Sequence, residues 1–190
     1  AKELLAVYTK AVESLNKWSS EDQSKYTDLN TALSSLAATA RKELETSVDR
    51  DGAAKALNGY CAGVVMELIK SVGTVKTVMT EQEAAQVKSK IQRAQTAYGN
   101  LSADQKKLVT NYAALQAAAA AYQTYETNYA AAKATEDLIR AIGTVTKDSY
   151  DAIQKATEAY NKLTATQKKL VDAKLVQQLQ DASARYKELL

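Results

Sequence analysis

The sequence predicts an all-α fold, and three observations carry that prediction. The chain of 190 residues has no Pro and six Gly, while Ala, Leu, Lys, Gln and Glu are abundant. Pro and Gly are the strongest helix breakers and the abundant types are good helix formers, so long helices are permitted. Apolar residues recur at helical spacing behind Ser/Thr-x-x-Glu/Gln signals. A long segment also occurs twice, which points to tandem copies of one helical unit.

Taken in order, Lys2 to Lys17 carries Leu4, Leu5, Tyr8, Ala11, Val12 and Leu15 on one helical face. Ser20-Glu21-Asp22-Gln23 forms a capping box, opening a second helix whose apolar face runs from Tyr26 through Leu29, Leu33, Leu36, Ala40 and Leu44 to Val48. Asp49-Arg50-Asp51-Gly52 is expected to interrupt it. A third helix then runs to Val72 and stops at Gly73, a residue suited to a left-handed cap. Thr80-Glu81-Gln82-Glu83 opens a fourth, with Val87, Ile91, Ala94 and Tyr98 inward and Gly99 at its end. Ser102-Ala103-Asp104-Gln105 is a further box.

The duplication sets the remaining boundaries. Ser71-Val72-Gly73-Thr74-Val75, Ala97-Tyr98 and Gln105-Lys106-Lys107-Leu108-Val109 recur as Ala141-Ile142-Gly143-Thr144-Val145, Ala159-Tyr160 and Gln167-Lys168-Lys169-Leu170-Val171. Tyr98 pairs with Tyr160 at a distance of 62 residues, but Tyr122 pairs with Tyr186 at 64. Two extra residues inside a packed helix would turn its apolar face by about 200°. Breaks are therefore expected near Thr110–Asn111 and Asp172–Lys174, each after a short Gln-Lys-Lys-Leu-Val turn. From Tyr112 to Ile142 no Gly occurs, so one helix of about 45 Å is expected there. A fray or bend is expected around Thr127–Thr135, where the apolar register slips. Such a helix would join the last helix of one copy to the first of the next. The predicted architecture is thus tandem three-helix-bundle modules with a long shared connector helix, a spectrin-like array. Its parts are an N-terminal bundle over 1–73, a first repeat over 74–133 and a second over 134–190. A weaker third copy is expected near the start, with Trp18 in the place of Leu101 and Leu163. The segment Lys76–Ala85, about eight residues longer than its counterpart, is expected to be an elaborated loop.

Composition argues against most chemistry. The 25 Lys and Arg are interleaved with 22 Asp and Glu, and no basic block of the kind that grips phosphates occurs, so no nucleic acid partner is expected. The chain has no His, the commonest general base and metal ligand, and one cysteine, Cys61, which sits in an apolar helical run and reads as a buried, inert thiol. No catalytic residue, cofactor or metal is expected. Asp49-Arg50-Asp51-Gly52 lacks the distal Glu of a calcium loop and reads as a capping turn. No apolar run reaches the roughly 20 residues that span a bilayer, so no membrane insertion is expected. The chain starts and ends inside helical pattern and reads as a monomeric fragment of something longer.

Aromatic content is the remaining signal: eleven Tyr, one Trp and no Phe. Tyr98 and Tyr160 occupy equivalent core-like positions. Tyr122, Tyr125 and Tyr129 are spaced along one stripe of the Ala-rich connector. Two readings stay open for them, filling of a seam or an exposed ladder that binds protein. Lys106-Lys107 and Lys168-Lys169 read as solvated faces.

The pattern Ile142-Gly143-Thr144-Val145, Ile153, Ala156, Ala159-Tyr160, Leu163, Gln167-Lys168, Leu170-Val171 resembles the helical tandem-repeat modules of Gram-positive bacterial cell-surface, wall-anchored proteins and secreted glycosidases. The resemblance covers residues 67–190 and rests on turn and core positions. It implies an extracellular, non-catalytic role at the bacterial cell surface. With the Tyr-rich faces, it leads to the expectation of a module that engages a host protein, with immunoglobulin the first partner to test. The competing expectation is a rigid spacer or stalk that holds another domain away from the wall.

Overall fold

The computed structural model describes residues 50–190, with the backbone alone for 50–54, Ala56 and Leu57. The two N-terminal helices, the Ser20 capping box, the N-terminal bundle up to residue 49 and the third copy around Trp18 lie outside the described residues. Seven helices and no strand occur among the described residues: α1 (Arg50–Val72), α2 (Glu81–Gly99), α3 (Ala103–Lys107), α4 (Tyr112–Arg140), α5 (Tyr150–Lys162), α6 (Ala165–Lys168) and α7 (Ala173–Glu188). The all-α class is as the composition and periodicity require. Arg50, Asp51 and Gly52 are helical, so the expected interruption is absent at those three positions. Asp49 lies outside the described residues.

The chain forms two compact units. Of the described residues, the first comprises those up to Thr74 together with Gln86–Ala118; the second comprises Val75–Ala85 together with Ala119–Leu190. These divisions differ from the cuts at 73 and 133 suggested by the sequence, because two helices, α2 and α4, contribute to both units.

In the first unit, α1 buries Ala62, Val65, Ile69 and Val72 at helical spacing. It ends at Gly73, whose φ of 67° is the left-handed conformation that a Cβ would strain. From α2 come Ile91, Ala94 and Ala97, and from the start of α4 comes Leu115, all buried. Tyr98 stacks on Tyr112 with ring centroids 3.8 Å apart. Between them, α3 is a single capped turn. Residues 108–111 are not helical, so α4 starts afresh at Tyr112. Residues 169–172 separate α6 from α7 by the same length, so the two-residue offset has no counterpart in these turns.

The second unit has a buried cluster of its own. Ile139 of α4, Ile142, Ile153 and Ala156 of α5, and Leu175, Leu179 and Ala182 of α7 form one buried cluster. Each fully buried Leu or Ile contributes roughly 1.5–3 kcal/mol. Gly143 has φ 58° and matches Gly73. Short α6 precedes α7 just as α3 precedes α4.

Helix α4 has 29 residues, about 43 Å at 1.5 Å per residue, and it is helical throughout Thr127–Thr135. The expected fray is therefore not found. Thr127 Oγ1 donates to the Gln123 carbonyl at 3.0 Å and Thr135 Oγ1 to that of Ala131 at 3.1 Å, so these hydroxyls are satisfied by the helix itself. The slip in apolar register has another cause. Leu115 belongs to the first unit's core, whereas Tyr125, Ala132 and Ile139 belong to the second unit.

A second correction concerns Lys76–Ala85. The connection from Gly73 to Thr80 is scarcely longer than that from Gly143 to Ser149, so the surplus is not an elaborated loop. It lengthens the helix instead: α2 has 19 residues and α5 has 13. Thr80 secures the longer start, its Oγ1 accepting from the Glu83 N–H at 3.2 Å while its own N–H donates to Glu83 Oε2 at 2.8 Å.

Candidate functional site

Tyr122, Tyr125 and Tyr129 follow one another along α4. Their ring centroids are 5.9 Å apart for the first pair, which is tilted, and 5.7 Å for the second, which is stacked, so the three rings form a continuous row. The segment Val75–Ala85 lies over this row. Met79 and Ala84 are buried, and the Tyr125 hydroxyl donates to the Met79 carbonyl at 3.4 Å. The Tyr129 hydroxyl donates to the Glu81 carboxylate, and Lys133 Nζ stands 3.6 Å from the same carboxylate and 5.2 Å from the Tyr129 ring centroid.

Tyr125 is only 3% exposed, while Tyr122 and Tyr129 are half-buried. The open ladder of three tyrosines is thus not present: the middle ring is covered, and the seam-filling alternative describes it. The sequence hid this because the covering segment reads as a loop with no assigned partner. Seventy positions earlier, Gly52, Lys55 and Gly59 stand in place of the three tyrosines. Stripe and cover are therefore peculiar to one region of the chain.

Electrostatics follow the contacts. Burial pushes the Tyr125 hydroxyl up, helped by its tyrosine neighbours and Glu81. Burial and the bond to Glu81 push Tyr129 up as well. The Tyr129 hydroxyl, then Lys133, hold Glu81 below the usual carboxylate range. Glu83 is drawn down to about 2 by Lys76, 2.9 Å away, and by the Thr80 N–H.

Sequence inspection missed Glu136. It is 1% exposed, yet fully partnered: Oε2 accepts from Arg140 at 2.9 Å and from Lys133 at 3.2 Å, and Oε1 accepts from the Asp172 N–H at 2.8 Å. Burial acts to raise its pKa, but the Asp172 N–H, Lys133 and Arg140 together outweigh it and hold the carboxyl low. The two cations at i−3 and i+4 were the available signal. The Asp172 contact, 36 residues away, had none.

Two other side-chain arrangements occur in both units. Gln105 closes the Ser102 box through Oε1 and also donates through Nε2 to Asn58 Oδ1 at 3.2 Å. Gln167 closes the Thr164 box in the same way and donates to Asn128 Oδ1 at 3.1 Å. This double use requires Gln, since a carboxylate in the box has no proton to donate across to the neighbouring helix. Likewise Lys106 lies over Tyr98 at 5.5 Å and Lys168 over Tyr160 at 5.3 Å. Only the second lysine of each pair is solvated as expected, because the first bends back across its half-buried ring.

Elsewhere in the second unit, Tyr150 is 52% exposed and packs against Tyr186 with centroids 5.8 Å apart. A shallow groove of about 320 Å³ runs beside α7, bordered by Val145, Lys174, Gln178, Asp181 and Arg185. Cys61 is half-buried, and burial pushes its thiol up, away from the reactive thiolate. Among the described residues no group of three or more His, Cys, Asp or Glu could hold a metal ion, and no helix is long and apolar enough to cross a membrane. No family model, curated protein or solved structure matches this chain.

Proposed function

We propose that this chain is a run of three-helix modules acting as a rigid, non-catalytic spacer in an extracellular bacterial surface protein. The observation that carries the proposal is α4, one uninterrupted helix that supplies core residues to both compact units. An α-helix without Pro or Gly resists a sharp kink, which would break its hydrogen-bond ladder, and a stiff spacer needs such a segment. The recurrence of the Asn58–Gln105 bond as Asn128–Gln167, and of the glycine caps at 73 and 143, supports a tandem arrangement. Backbone NMR relaxation tests it. Order parameters across Ala117–Thr124 are expected to equal those of the unit interiors, near about 0.85. A dip below about 0.6 there would mean a hinge and end the spacer proposal.

Exposed Tyr150, backed by the half-buried Tyr186, favours a second function, docking on a host protein through a helix face, with immunoglobulin the first partner to test. Interferometry against pooled serum antibodies is expected to give binding that Tyr150→Ala weakens at least about tenfold. An absence of binding at micromolar concentration removes the immunoglobulin version.

A further inference from the structure

We propose that Val75–Ala85 is a strap that opens on its own and uncovers the tyrosine stripe of α4. The corresponding connection from Gly143 to Ser149 is nearly as long but enters a helix of 13 residues where α2 has 19, so a core of this kind closes without the extra first turns of α2. The first turn of α2 also has different partners from the rest of that helix. Residues up to Ala85 group with the second unit, and those from Gln86 onward group with the first.

The strap is thinly held. Met79 and Ala84 are its buried apolar side chains, whereas Val78 is 37% exposed. The hydrogen bond from Tyr125 to Met79 is at the outer limit of useful length. Glu81, which receives Tyr129 and Lys133, is itself exposed, and exposed ion pairs hold weakly. Segments with few buried apolar contacts open at a fraction of the cost of global unfolding. The stripe beneath does not depend on the strap for its shape, because all three rings are carried by one helix and lie in one row. Lifting the strap therefore presents a preformed aromatic surface, of the residue type that gives large contact area with little loss of side-chain freedom.

Hydrogen exchange and tyrosine nitration on the intact chain test this together. The Ala84–Val87 amides are expected to exchange at least about tenfold faster than those of Ile91–Ala97 in the same helix. Tyr129→Phe, which deletes only the hydroxyl on Glu81, is expected to speed Ala84–Val87 by about threefold or more, leaving Ile91–Ala97 and Leu179 unchanged. Fraying confined to the helix end would leave Tyr125 inert to nitration, because Met79 would stay over it. Tyr125 is expected to be nitrated in the native chain at a rate that rises in step with Ala84–Val87 exchange, and Lys133→Gln should act in the same direction. Uniform exchange along α2, a Tyr129→Phe effect spread over all amides, or a Tyr125 inert to nitration would each overturn the proposal.

Discussion

Removing the Glu136 side chain should loosen the start of α7 more than any other single polar change in the second unit. Its carboxylate is buried and serves three donors, of which the Asp172 N–H, 2.8 Å away, belongs to the residue that caps α7. A hydrogen bond to a charged group contributes roughly 1.5–3 kcal/mol. Arg140 is 50% exposed and Lys133 38% exposed, so both regain water when the acid is lost and return little penalty. The Asp172 bond then dominates, and Glu136→Ala is expected to cost about 2–3 kcal/mol. That corresponds to roughly 5–10 °C in melting temperature for a chain of this size. Hydrogen exchange gives the locality: Leu175 and Val176 should lose protection, and Ile91 and Ala94 should not. The pH dependence gives an independent check. The folded pKa of Glu136 lies below its ordinary value of 4.5, so its contribution is complete above that pH and fades as pH falls through the lower folded value. The gap between wild type and Glu136→Gln should accordingly be widest at neutral pH and narrow below about pH 4.5. A Glu136→Ala protein within about 0.5 kcal/mol of wild type in urea titration at pH 7 would refute the idea that this buried acid fixes the α6–α7 corner.

Matched substitutions elsewhere probe the repeated features. Asn58→Ala should cost about 1–2 kcal/mol and Asn128→Ala nearer 1 kcal/mol in urea titrations, because the Gln105 left behind is buried whereas Gln167 is half-exposed. Gly143→Ala should destabilise by about 1–2 kcal/mol, since its φ is 58°. Gly59→Ala should stabilise by roughly 0.5–1 kcal/mol, because Gly59 is helical and a Cβ there meets nothing within 4 Å; thermal melts of the two variants should move in opposite directions. The Cys61 thiol, raised by burial, should react with a thiol-specific disulfide reagent at pH 7 at least about tenfold more slowly than free cysteine, and at the free rate after denaturation.

Much of this fold was legible because its determinants are local. Gly73 and Gly143 marked helix ends since only glycine takes a positive φ without strain, and both do so. The Thr80 and Ser102 boxes act within four residues, and both form. The helix breaks expected near Thr110–Asn111 and Asp172–Lys174 fall at 108–111 and 169–172, but they are equally long, so the two-residue shift that suggested them is not what makes them. The candidate site was less legible. Spacing placed Tyr122, Tyr125 and Tyr129 on one stripe but could not say that Met79 and Glu81, more than forty residues away, cover it.

Within the described residues the sequence by itself determined the helical class and several helix ends, such as Gly73, Gly143 and the Ser102 box, because propensity, capping and periodicity act over a few residues. It did not determine that residues 50–52 and the first turn of α2 are helical. Only the tertiary structure decided which surfaces remain open. The long-range partners of Glu136, Tyr125 and Gln105 depend on how separate helices meet, and that follows from the packing of whole faces. A residue's own neighbours along the chain carry no record of it.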